Sequence, residues 1–84
     1  MKYINHDDIN HKIVIIPRTE ENIDSFELYH ELNDKTYQIN DFEFDFVNGY
    51  LEITFSHTAK QGNIFVYKVK AQDKLVSTGK IETL

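Results

Sequence analysis

At 84 residues the chain is long enough for one domain with one core, burying roughly 60–65% of the surface its unfolded form exposes, and leaves little room for a deep cleft. It has 14 acidic residues against 9 basic ones, a formal charge of −5 and a single arginine, Arg18, so it lacks the gathered cationic face that nucleic acids or anionic membranes require. With no cysteine, packing alone must hold the fold, and nothing points to an oxidising compartment.

Residues 1–11 are mostly polar and without a sustained period, which predicts an N-terminal arm ahead of a single domain over residues 12–84. No apolar stretch of roughly 7–15 residues follows the first charge, so the start does not read as a secretory signal. The longest apolar run, residues 13–16, is far too short to span a bilayer. A soluble product made in a cytoplasm is expected. The first strand is the β-branched run Ile13-Val14-Ile15-Ile16, entered through Lys12 and stopped by Pro17, which has no N–H to give a ladder. Residues 20–24 are polar and hold at most one helical turn.

Phe26, Leu28, His30 and Leu32 alternate with Glu27, Tyr29 and Glu31, the pattern of a half-buried strand. Asn33, Asp34 and Lys35 supply its turn, and a short strand follows over residues 36–39. Asn40-Asp41 breaks the chain before its clearest element. Asn48-Gly49 is the preferred pair for a type I′ hairpin turn, because both central residues need φ > 0. The turn sets the register: Val47 opposes Tyr50, Phe46 Leu51, Asp45 Glu52, Phe44 Ile53, Glu43 Thr54 and Phe42 Phe55. One side of the hairpin is wholly apolar and must be buried against a second layer, while the acidic side stays wet.

Residues 56–63 form a turn-rich loop leading into a strand over 64–70, with Phe65, Tyr67 and Val69 on one face. A hairpin turn over residues 71–74 returns the chain into a last strand over 75–82. Gly79 inside that strand marks a bulge or a close approach. About seven short strands at hairpin spacing, with no convincing helix, predict an all-β fold, a small antiparallel β-sandwich of immunoglobulin or fibronectin-III type. A small β-barrel is the alternative, since the same alternation serves either closure.

Reactive chemistry is sparse. His6, Asp7, Asp8 and His11 are metal-type ligands, but in an unordered arm they read as solvated side chains, and no metal or other cofactor is expected. Asp45 opposite Glu52, with Glu43 nearby, puts like charges on one wet face, which is unfavourable by up to ~1 kcal/mol unless offset. Lys68 and Lys70, a cation or a basic partner would offset it. Paired carboxylates also serve glycosidases, but an open sheet face supplies no desolvation to raise one pKa. His30 alternates with Phe26 and Leu28 and reads as a core histidine; His57, with Ser56 and Thr58, reads as part of a turn. No nucleophile constellation or phosphate-binding glycine loop is present, so no enzyme is expected. Tyr29 and Tyr50 alternate away from the apolar faces. Wet-face tyrosines are preferred contact residues, with cross-strand packing as the bland reading. The expected partner contacts are therefore Tyr29, Tyr50, Glu43, Asp45 and Glu52.

Several segments together carry a family resemblance: Ile15-Ile16-Pro17-Arg18 ending the first strand, the alternation over 26–32, Asn48-Gly49 leading into 50–55, Gly62-Asn63 leading into 64–69, and Thr78-Gly79-Lys80-Ile81. This succession resembles small β-sandwich domains of tailed-bacteriophage virions, particularly those of crAss-like phages, and covers most of residues 13–82. The resemblance implies a structural or attachment role in the tail, collar or fibre region, with no catalytic residue to carry over. Domains of this kind often belong to longer chains. The expected partners are other virion proteins and further copies of the chain, in a virion made in a host cytoplasm. A carbohydrate-binding module, with Tyr29 and Tyr50 meeting a glycan, is the competing expectation.

Overall fold

A computed structural model describes residues 1–18 and 22–84. Among these residues the fold is all-β, with β1 (Lys2–Ile4), β2 (Asn10–Ile15), β3 (Ser25–His30), β4 (Lys35–Ile39), β5 (Phe42–Val47), β6 (Tyr50–Ser56), β7 (Ile64–Ala71) and β8 (Lys74–Thr83). They form a five-stranded sheet, in the order β1-β8-β7-β3-β4, and a three-stranded sheet, in the order β2-β6-β5. Among the described residues no ladder joins the two sheets, so the sandwich is realised and the barrel is not. The β3–β4 hairpin beside the β7–β8 hairpin, facing β2 beside the β5–β6 hairpin, follows the strand order of immunoglobulin-type sandwiches.

The period-2 pattern accounts for the core. Phe26 and Leu28 from β3, with Phe65, Tyr67 and Val69 from β7, face Ile13 and Ile15 from β2 and Leu51, Ile53 and Phe55 from β6, and all are buried. Phe42, Phe44 and Phe46 lie on the edge strand β5 and are only partly covered. The β5–β6 register is the one expected, pair for pair, and Asn48 and Gly49 have φ of +52° and +84°. The β7–β8 turn repeats the device without glycine: Gln72 and Asp73 both have positive φ, and Asp24 Oδ2 accepts the Gln72 N–H at 2.8 Å.

Three features depart from expectation. Residues 1–11 are not a free arm. Lys2–Ile4 pairs in parallel with β8, Ile4 is buried, the Lys2 ammonium donates to the Val14 carbonyl, and β2 already begins at Asn10. Parallel pairing needs a partner far along the chain, which a local pattern does not announce. Leu32 was expected inside but is 87% exposed. β3 ends at His30, and the turn over residues 31–34, with Asp34 at φ +51°, breaks the alternation before Leu32 is reached. The bulge of β8 falls at Val76, where the β7 partners step from Val69 to Lys70, while Gly79 answers to close approach: a Cβ there would lie 2.8 Å from the Tyr67 ring. The polar loop expected over residues 20–24 falls partly outside the described residues.

Thr83 ends β8 only 1% exposed, and its hydroxyl has no hydrogen-bond partner among the described residues. A buried unpaired hydroxyl carries an uncompensated desolvation cost. Thr83→Val keeps the shape and the β-branch, and should raise stability by about 1 kcal/mol. The measurement is the denaturant midpoint at unchanged slope; a lowered midpoint would mean that the hydroxyl has a partner in solution.

Candidate functional site

The outer face of the three-stranded sheet is built by the residues that alternate away from the core. From β5 come Glu43, Asp45 and Val47, from β6 Tyr50, Glu52 and Thr54, and from β2 Lys12 and Val14. Tyr50, Val14 and the neighbouring Ile16 are exposed. Asp45 directly opposes Glu52 and Glu43 opposes Thr54, so three carboxylates gather on one half of this face, around a shallow depression. The cation that partly offsets them is Lys12, whose ammonium lies 2.8 Å from Glu52. Lys68 and Lys70, expected in that role, belong to the other sheet, where Lys70 reaches Glu27 at 3.5 Å. Among the described residues Glu43 and Asp45 have no ion-pair partner.

The outer face of the five-stranded sheet carries charges of both signs. Two of its ion pairs are Lys70 with Glu27 and Lys80 with Glu31 at 3.2 Å, while Lys68 and Glu82 on the same face have no ion-pair partner among the described residues. Tyr29 lies on this face, and its hydroxyl donates to Asp34 Oδ1 at 2.6 Å, tying β3 to its own turn. That hydrogen bond, with lesser contributions from burial and from the Asp34 and Glu31 charges, raises the Tyr29 pKa above its usual value. Of the five expected contact residues, the fold therefore brings Tyr50, Glu43, Asp45 and Glu52 onto one face and places Tyr29 on the opposite one. The two tyrosines share no platform.

The two histidines expected near the start part company. His6 is partly exposed, with Nδ1–H donating to the Leu84 carbonyl at 2.7 Å and Nε2 lying 3.1 Å from Asp7. His11 continues the inward alternation of Ile13 and Ile15 and is buried; its Nε2–H donates to the His57 carbonyl at 2.8 Å. Among the described residues no three His, Asp or Glu side chains converge in a way that could hold a metal.

What the sequence did not announce is the meeting of His11, His30 and His57 at one end of the sandwich. The His57 ring packs edge-on against Tyr37, centroids 4.9 Å apart, and against Phe65 at 5.4 Å, while His30 lies 5.1 Å from Phe65. Burial first, then the neighbouring His11 and His30, lower the His57 pKa, favouring the neutral ring. The alternation placed His11 and His30 inward one at a time. Only pairing across two sheets puts them together. Comparison with protein-family models, with curated proteins and with solved structures finds no match to this chain.

Proposed function

We propose that this protein is a non-enzymatic structural module that acts through protein–protein contacts, in the setting its sequence resemblance suggests, the tail or collar region of a tailed-phage virion. The observation that carries this reading is the asymmetry of the two outer faces. The five-stranded sheet carries outward charges of both signs, among them Lys68, Lys70, Lys80, Glu27 and Glu82, whereas the three-stranded sheet gathers Glu43, Asp45 and Glu52, the first two without an ion-pair partner among the described residues, beside exposed Val14, Ile16 and Tyr50. A partner offering lysine or arginine around an apolar centre relieves the Asp45–Glu52 repulsion and covers the apolar side chains together.

The adjoining edge supports the same reading. β5 is the last strand of its sheet, and its three phenylalanines are only partly covered. A strand added along β5 would pair the free backbone groups and extend the cover over those rings. The test is incorporation into particles. The wild-type protein should be found by mass spectrometry in particles purified from its native source, and a Val14→Asp, Tyr50→Ser double variant should lower incorporation by about tenfold or more, as loss of a central anchor does. Substitution of Tyr29, on the opposite face, should leave incorporation unchanged. Absence from purified particles would overturn the virion reading, and a fully incorporated double variant would overturn the assignment of the face.

A further inference from the structure

The end of the sandwich where the β3–β4 turn meets the β6–β7 loop holds a cleft of about 460 Å³, bordered by His30, Tyr37, His57, Phe65, Lys60 and Asn63. Its volume lies within the range of small-molecule sites, roughly 300–1,000 Å³. One side is lined by rings: His57 packs edge to face with both Tyr37 and Phe65. Leu32, ejected from the core by its turn, forms an apolar lip.

The polar part of the lining is biased toward donors. Asn63 Oδ1 is taken by the Lys60 N–H at 2.9 Å, which orients the amide and leaves its NH₂ as the group able to serve a ligand. Lys60 adds an ammonium and Thr58 a hydroxyl; Lys35, outside the lining, holds its ammonium 5.0 Å from the centre of the Tyr37 ring. His30 borders the cleft and is only 6% exposed as a residue; no hydrogen bond engages its ring among the described residues, and its nitrogens are not among the fully buried unpartnered atoms, so they retain access at the inner end of the cleft. Among the described residues no carboxylate lines this cleft, although the chain carries 14 acidic residues. The nearby acids are engaged elsewhere, Glu31 with Lys80 and Asp34 with the Tyr29 hydroxyl.

We infer that this cleft binds a small flat organic anion, of which an aromatic carboxylate is the simplest example. The ring lies against Tyr37, His57 and Phe65, and the carboxylate meets His30, the Asn63 amide and Lys60. Neutral imidazoles donate one proton each and imidazolium two, so binding and protonation favour each other. The groups facing His57 are His11 from β2, His30 from β3, Tyr37 from β4 and Lys60 from its own loop. Among the described residues none of these is an acid, so a bound anion would add a negative charge beside the His57 ring. Affinity should therefore rise as pH falls through the histidine range.

The probe is benzoate, titrated into isotope-labelled protein and followed by the histidine ring and asparagine side-chain resonances. Saturable shifts should centre on His30, His57 and Asn63, with affinity about three- to tenfold higher at pH 5.5 than at pH 7.5. Benzamide, the neutral analogue, should bind several-fold more weakly. Lys60→Met, at an exposed position, should weaken benzoate about threefold without changing stability. His30→Gln should weaken it further; if that variant does not fold, the Lys60 variant and the benzamide comparison still decide. The inference is overturned if no saturable shift appears at His30 and His57, if benzamide binds as well as benzoate, or if inorganic phosphate binds as tightly, since the ring wall would then contribute nothing.

Discussion

Phe26→Ala is expected to remove about 3–5 kcal/mol of stability, the usual cost of truncating a fully buried phenylalanine. Phe26 lies on β3 of the larger sheet with no exposed surface, and its ring reaches across the sandwich to Phe55 of β6, centroids 4.9 Å apart, and to Phe42 of β5 at 5.9 Å. Truncation thus removes apolar burial and opens a cavity between the layers, where neither sheet can close it without sliding on the other. A domain of this size has about 4–12 kcal/mol in total, so the variant should sit near its folding limit at ambient temperature. The chain has no tryptophan, so unfolding is followed by tyrosine fluorescence and far-ultraviolet circular dichroism. The control is Leu32→Ala at the exposed turn, expected to change stability by less than about 0.5 kcal/mol. Similar losses in the two variants would show that the Phe26 ring does not join the sheets.

Gly79→Ala is expected to cost about 1–3 kcal/mol, although alanine suits a strand better than glycine by roughly 0.5–1 kcal/mol. Gly79 pairs with Tyr67 across the β7–β8 ladder, and the Tyr67 ring lies over it. An added Cβ would stand 2.8 Å from Tyr67 Cε2 and Oη and 2.9 Å from Cζ, inside any real contact distance. Tyr67 is only 5% exposed, so the ring cannot swing aside without repacking its surroundings. The discriminating measurement is a double-mutant cycle. In a Tyr67→Leu background Gly79→Ala should become neutral or stabilising, giving a coupling of about 1–2 kcal/mol. Additive effects would place the cost in the backbone and not in the ring.

The parts of this fold legible beforehand were those whose cause is local. The Asn48-Gly49 turn needs only two residues at positive φ, and strand alternation then carries its register outward through six pairs. The outer-face positions of Tyr50, Glu43, Asp45 and Glu52 followed from the same count. Gly79 was legible as an anomaly, though only the cross-strand partner decided between bulge and close approach. Where a turn overrides alternation the reading failed, as at Leu32, where the strand stops two residues early.

The sequence by itself determined an all-β chain, the faces of several strands, the register of the Asn48-Gly49 hairpin and the need for apolar faces to be buried against a second layer, because these depend on φ preferences and on a period of two. Only the tertiary structure decided which strands became neighbours. It placed β2 beside β6, so that Lys12 and not Lys68 meets Glu52, and paired β1 with β8, the two ends of the chain. It also set Tyr29 and Tyr50 on opposite faces and drew His11, His30 and His57 to one end beside a donor-rich cleft. The physical reason is that side-chain direction is set within a strand, whereas strand neighbours are chosen by burial summed over the whole core, and no short window of residues contains that sum.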